Sequence, residues 1–198
     1  FDDFLADKTA VVEGDITAEH LGLDADEAAA LSERLDLVVN SAGLTNFNPN
    51  LENALAINTL SQRNFLEFIR LADDHASYLH VSTAFVAGNR DGRVPERLPG
   101  PTHYPAYEDL GVELDADREL ADCRAMIDHA KQLAEDQERH ARFSRRARAK
   151  LSDKNIPPDN EEAFERAYAE AKSDWLRDRL SDEGLARAEH WGWPNIYT

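Results

Sequence analysis

The run Leu35-Asp36-Leu37-Val38-Val39-Asn40, followed at once by Ser41-Ala42-Gly43, restricts the folds open to this chain more than any other stretch. A short Leu/Val run without polar alternation suits a strand buried on both faces of a parallel sheet. The pattern recurs. Thr9-Ala10-Val11-Val12-Glu13 ends in Gly14-Asp15, and Tyr78-Leu79-His80-Val81-Ser82 ends in Thr83. Segments of helical composition lie between. Residues 24–34 put Ala28, Leu31 and Leu35 on one face, and residues 51–72 space Leu55, Asn58, Leu60, Phe65, Leu66 and Ile69 by helical turns. Strands separated by helices of that length imply right-handed βαβ units around a parallel sheet.

The pattern changes near Pro105. Residues 115–152 contain neither Gly nor Pro, and Leu120, Cys123, Ile127, Ala130, Leu133 and Ala134 keep helical spacing. One helix over that stretch would run roughly 55 Å at about 1.5 Å per residue. Asn155-Ile156-Pro157-Pro158 breaks it, because paired prolines cannot continue a helix. Asp159 or Asn160 then caps a second helix, with Glu161 and Glu162 set against its dipole. Phe164, Ala167, Tyr168, Ala171, Trp175 and Leu176 line that helix, and Gly184 is expected to interrupt it. The chain therefore divides into an α/β segment over 1–110, an inserted helical hairpin over 111–190, and a last segment, 191–198, that rejoins the core.

Composition excludes several classes. Among 198 residues the net charge is −17. Residues 1–110 carry 7 basic against 19 acidic groups, and 111–190 carry 15 against 20. Such a field repels nucleic acid, whose binders need basic surface. No window approaches the about 18 consecutive apolar residues of a membrane span. Phe1-Asp2-Asp3-Phe4 has neither the positive nor the apolar region of a secretory signal. Cys123 is the one cysteine, so no internal disulfide framework exists, and the cytoplasm is the expected compartment.

Several residues stand where chemistry is done. In an open parallel sheet, ligands sit beyond the carboxyl ends of strands. Ser41, Ala42 and Gly43 occupy such an end, and small residues there let a ligand approach the backbone. Gly14, Asp15 and Ile16 occupy another, where a carboxylate accepts a hydrogen bond from an adenine amino group. Ser82 and Thr83 put hydroxyls at a third, able to donate to a substrate carbonyl. Each pattern also fits an ordinary strand-to-loop turn. Asn58 on an apolar helix face needs partners and either orients a site or is a structural amide. His80 reads as a residue packed within its strand. Arg142, Arg145, Arg146, Arg148 and Lys150 form a basic run. It either docks phosphates or an acidic partner, or complements the helix dipole and pairs with the chain's own acids; the acidic composition favours the second. Tyr168, Trp175, Trp191 and Trp193 read as packing rather than an acyl tunnel. Cys123, at core spacing, reads as a small buried hydrophobe rather than a nucleophile. No metal ligands are assigned.

Taken in order, "VVEGDI" (11–16), "VVNSAGLTNFN" (38–48), "ALAINTLSQRNFLEF" (54–68), "YLHVSTAFVAGNRDGRVPE" (78–96) and "WGWPNIYT" (191–198) resemble the fatty acyl-CoA reductases. These form the male-sterility-like branch of the extended short-chain dehydrogenase/reductases. The resemblance covers 1–110 and 185–198, and the insertion looks like that of bacterial members. It implies an α/β, Rossmann-like NAD(P)-binding core with a long helical insertion, and NADPH-dependent reduction of long-chain fatty acyl-CoA to aldehyde or alcohol.

The resemblance also implies roles. Tyr197 matches the tyrosine of the family's Tyr-x-x-x-Lys pair, a phenol that gives a proton to the carbonyl oxygen. Thr83 matches the hydroxyl that holds the same oxygen, with Ser82 as its alternative. Gly14, Asp15 and Ile16 match the adenine contact. Ser41, Ala42 and Gly43 match the strand-end contact to the dinucleotide, and Asn58 matches the helix asparagine that orients the active site. The lysine would fall four residues past Tyr197, and the Gly-rich phosphate loop and its strand would precede Phe1. The sequence is thus expected to be part of a longer enzyme, with 191–198 opening the active-site helix. The other readings are a reductase of carrier-protein or carboxylic-acid thioesters, and a non-catalytic helical interaction module on a degenerate Rossmann-like platform. Peripheral contact with a membrane is compatible with a fatty substrate.

Overall fold

The computed structural model describes residues 6–72, 76–97, 100–157 and 159–197. In chain order it holds α1 (Ala25–Ser32), β1 (Leu37–Asn40), α2 (Leu51–Ala54), a π-helical turn (Leu55–Leu60), α3 (Ser61–Arg70), β2 (Ser77–His80), α4 (Tyr107–Leu110), α5 (Ala116–Ala134), α6 (Gln137–Asp153) and α7 (Glu161–His190). Tight 3-10 turns form at Glu19–Gly22 and Ala84–Ala87. Two compact units result. One is Phe1–Leu44 with Leu55–Ser82, and the other is Thr45–Ala54 with Thr83–Thr198.

In the first unit two of the three expected strands form. β1 and β2 pair in parallel, Leu37 opposite Ser77 and Asn40 opposite His80. With α3 between them in sequence, they make the βαβ unit that the Leu/Val runs predict. One face of the pair packs on α3. Phe65 stacks on Tyr78 at 6.2 Å, and Phe65 and Phe68 are buried. On the other face Leu37, Val39, Leu79 and Val81 are each about half exposed. Residues 9–13 do not form the third strand. A strand needs a neighbouring strand for its backbone groups, the sheet of described residues holds β1 and β2 only, and Val11 lies 99% exposed. α1 begins where its signals place it, with the Asp24 carboxylate accepting the Glu27 N–H at 2.8 Å.

In the second unit α5, α6 and α7 pack together. α5 buries Cys123, Ile127, Ala130 and Ala134, and α6 buries Phe143, Ala147 and Leu151. α7 meets α6 with Ala167, Ala171 and Tyr168, and Phe143 lies 6.0 Å from both Tyr168 and Trp175. Alanines of zero exposure let the helices approach closely.

Two expectations for these helices are overturned. The single helix over 115–152 is two helices, broken where Asp136 turns extended at ψ 142°. Glu135 is drawn aside by Lys172 at 2.5 Å and His140 at 3.5 Å. The acidic residues after the break suit a new helix N-terminus. Conversely, Gly184 does not interrupt α7. A Cβ there would come within 2.9 Å of Ile196 Cδ1 and 3.2 Å of Leu51 Cβ, so this glycine marks close packing inside a continuous helix. Asn160 caps that helix as expected, accepting the Ala163 N–H at 3.0 Å.

Candidate functional site

In the first unit, two loops hang from amides of one helical run. Asn58, on the π turn, accepts the Leu44 N–H at 2.8 Å and donates to the Leu44 carbonyl at 3.3 Å. This two-way latch holds the exposed Ser41-Ala42-Gly43 segment, and a Cβ on Gly43 would stand 3.3 Å from the Asn58 oxygen. Asn64, on α3, donates to the Ile16 carbonyl at 2.8 Å and so fixes the Gly14-Asp15-Ile16 loop. There the Asp15 N–H meets the Leu21 carbonyl at 2.7 Å, and a Cβ on Gly14 would lie 2.7 Å from that same oxygen. The Asp15 carboxylate takes the Thr17 hydroxyl at 2.7 Å and the Thr17 N–H at 2.8 Å, both on Oδ1. The hydroxyl first, then the amide, hold its carboxyl below the usual range. An ionised carboxylate and small strand-end residues suit hydrogen-bond donors and a flat ligand.

Beneath this edge, Asn40 is buried and makes a closed network. Its amide nitrogen donates to Gln62 Oε1 and to the Tyr78 hydroxyl oxygen, each at 2.9 Å, and its oxygen accepts the Ala42 N–H at 3.0 Å. Sequence reasoning missed Asn40 and Asn64. For Asn40 the signal was there, an amide ending an apolar strand; for Asn64, on a helix rich in polar residues, it was not.

In the second unit, Phe85 and Tyr197 meet the same ring, and Thr83 caps the turn that carries Phe85. Thr83 Oγ1 accepts the Phe85 N–H at 3.2 Å. A hydroxyl that accepts still has its own proton to donate. The Phe47 ring meets Phe85 edge-on at 5.6 Å and Tyr197 edge-on at 6.1 Å. The Tyr197 N–H donates to the Phe47 carbonyl at 3.2 Å. Ser82 is exposed and falls in the first unit. Residues 191–197 run as successive turns beside 86–89. Trp193 Nε1 donates to the Val86 carbonyl at 3.1 Å, and the Asn89 N–H to the Gly192 carbonyl at 3.2 Å. Gly88 and Gly192 have φ of 73° and 86°. A Cβ on Gly88 would stand 2.7 Å from the Gly192 carbonyl oxygen, and one on Gly192 2.9 Å from the Ala106 nitrogen. Backbone meets backbone here, and only glycine fits.

The remaining candidates resolve into structure. In the basic run, Arg146 pairs with Asp174 at 3.1 Å, Lys150 pairs with Glu170, and Arg148 lies 5.8 Å over Phe164. Tyr168 and Trp175 pack on Phe143, and Trp191 meets Tyr104 edge-on at 5.0 Å. His80 stacks on Tyr78 at 6.3 Å. Cys123 is buried; burial, then the Glu119 carboxylate, push its thiol up to about 11. Such a thiol stays protonated at neutral pH and is inert. Among the described residues, no helix is long and apolar enough to cross a membrane.

A parallel βαβ unit with small residues beyond a strand's carboxyl end is the architecture of nucleotide-binding α/β proteins. Comparison with known proteins narrows that class. The chain belongs to the NAD-binding family described as Male sterility protein, whose family model matches residues 1–198, so its α/β core is Rossmann-like. It is 31% identical over 198 residues to the "Alcohol-forming fatty acyl-CoA reductase" of Simmondsia chinensis, covering all of this chain and 32% of that protein. It is 34% identical over 117 residues to "Fatty acyl-CoA reductase 8" of Arabidopsis thaliana, covering 59% of this chain and 24% of that one. It is 27% identical over 194 residues to "Fatty acyl-CoA reductase 1" of the same plant, covering 98% and 31%. The chain thus spans about a third or less of these relatives.

Proposed function

We propose that this chain is part of an NADPH-dependent reductase of long-chain fatty acyl-CoA. Residues 1–110 then serve the cofactor-binding core, 111–190 form an insertion, and 191–198 bring in the proton donor. What supports the reading is the relatedness over nearly the whole chain to proteins named as fatty acyl-CoA reductases, together with the Phe47 ring, which meets both Tyr197 and Phe85, the residue whose N–H Thr83 caps.

Asp15 accepts the adenine amino group, and Gly14 and Ile16 shape its loop. Ser41, Ala42 and Gly43 admit the dinucleotide to the strand end, which Asn58 holds. Their fit rests on an ionised, exposed carboxylate and on a loop whose small residues leave the backbone open. The cofactor, when bound, supplies hydride to the substrate carbonyl carbon. Thr83, with Ser82 as its neighbour, donates a hydrogen bond to the carbonyl oxygen. Tyr197 gives that oxygen its proton as charge develops. A single buried thiol suits a reducing compartment such as the cytoplasm.

The test is NADPH oxidation by the full-length gene product on a fatty acyl-CoA, run beside the acyl-carrier thioester and beside NADH. Oxidation fastest with NADPH and the CoA ester is expected. Tyr197→Phe lowers kcat by about 10²- to 10⁴-fold, the usual worth of a positioned proton donor. Retained activity in that variant would remove Tyr197 from the mechanism.

A further inference from the structure

The helices of the second unit carry a polar cluster that the proposed chemistry does not use. Glu119 stands in the first turn of α5 and Arg187 in the last turn of α7. Arg187 Nε donates to Glu119 Oε1 at 2.7 Å and Nη2 to Oε2 at 2.6 Å, two parallel bonds that fix orientation as well as charge. Nη2 also reaches Asp122 Oδ2 at 2.9 Å. The Trp191 indole N–H donates to Glu119 Oε2 at 3.0 Å, and the guanidinium lies 5.6 Å from that ring's centroid. The Cys123 thiol adds a bond to Oε1 at 3.6 Å, so one carboxylate gathers four hydrogen bonds. Each charge has the sign its helix end favours, and both side chains are about three-quarters covered, unlike a surface pair free to swing.

The cluster sits where α7 ends. Trp191 is the capping residue of that helix, and Gly192 turns the chain at positive φ. The next bonds tie this turn to residues 86–89 and 106. The Ala106 N–H meets the Trp191 carbonyl at 3.1 Å, the Asn89 N–H meets the Gly192 carbonyl, and Trp193 meets the Val86 carbonyl. Three residues further on from Val86 toward the N-terminus is Thr83, and four residues on from Trp193 is Tyr197.

We infer that Glu119 is a positioning residue: by holding Arg187 and Trp191 it fixes the end of α7, and so the place at which the following turns deliver Tyr197 beside the Thr83 turn. The inserted helices are then a brace for the proton donor. The inference rests on the reading of Tyr197 given above. A displaced donor costs rate without weakening substrate or cofactor binding, because small misplacements act on the reacting geometry alone.

The test uses the full-length gene product carrying Glu119→Gln, Trp191→Phe, Tyr197→Phe, or Glu119→Gln with Tyr197→Phe. Glu119→Gln and Trp191→Phe each lower kcat about tenfold, while both KM values stay within about twofold of the parent. The double variant is no slower than Tyr197→Phe, since a donor already removed cannot be misplaced. Amide hydrogen exchange, read without turnover, quickens over residues 191–197 in Glu119→Gln and stays at the parent level over residues 161–180. Unchanged kcat and exchange in Glu119→Gln overturn the positioning role. So does a double variant in which the two losses multiply, which is the mark of general weakening. Full activity in Tyr197→Phe overturns the proton-donor reading instead.

Discussion

Asn40 shows how much a single side chain decides at the strand end. Its amide closes a network with Gln62, Tyr78 and the Ala42 N–H, and it is 1% exposed. Asn40→Ala removes the three hydrogen bonds of this buried amide, which is expected to cost about 1–3 kcal/mol in urea unfolding. Cys123 is the opposite case, a reactive residue type made inert. With its thiol raised to about 11, alkylation at pH 8 is expected to be more than about tenfold slower in the folded chain than in denaturant. Equal rates would show the thiol to be accessible. Glu119 contributes to the acid limb. Burial raises its carboxyl, but the Arg187 bonds and charge, then Trp191 and Cys123, outweigh burial and hold it below its ordinary value. A depressed folded value adds stability above the unfolded pKa of about 4.3, lost as pH falls through the folded one. Thermal midpoints of Glu119→Gln should therefore fall less steeply than the parent's from pH 5 to pH 3. At this scale the sequence spoke through residue type and position: Asp15, Gly43 and Asn58 were marked by standing at strand ends or on an apolar face. Asn40 and Glu119 were not, because their importance lies in partners far along the chain.

At the scale of elements, periodicity was a good guide to which residues are buried and a poor one to where helices stop. Cys123, Ile127, Ala130 and Ala134 are all buried, as their spacing predicts. The stop after Ala134 has no Gly or Pro to announce it; Asp136 turns extended there, beside Glu135 paired with Lys172 and His140. Gly184 misleads in the other direction, since a glycine in a helix reads as a break until the neighbour that needs the space is known. The consequence is measurable. Gly184→Val drives a branched side chain against Ile196 and Leu51 and should destabilise the chain by about 1–3 kcal/mol despite better helix propensity. A gain in stability would mean that Ile196 moves aside freely.

For the molecule as a whole, the parallel pairing was legible because Leu/Val runs bounded by helices admit little else. The missing third strand was not, because a strand exists only with its neighbour and no local pattern encodes that neighbour. Leu37, Val39, Leu79 and Val81 are each about half exposed on one sheet face, an apolar patch of the kind that drives association. Made by itself, the 198-residue chain should sediment as concentration-dependent oligomers despite its charge of −17; a monomer at every concentration would contradict this.

The division into two units also settles what light can report. Trp175, Trp191 and Trp193 are the only tryptophans, and all three fall in Thr83–Thr198. Tryptophan emission is therefore blind to the unit that carries Asp15, Gly43 and Asn58. A melt followed at the indole wavelength describes the helical unit alone, while far-ultraviolet dichroism sums both. Coincident curves would mark one cooperative transition, and separated ones would date the loss of each half. An optical reporter for the cofactor side has to be introduced, and Tyr78→Trp, beside Phe65 on the packed face of the sheet, is the natural place for it.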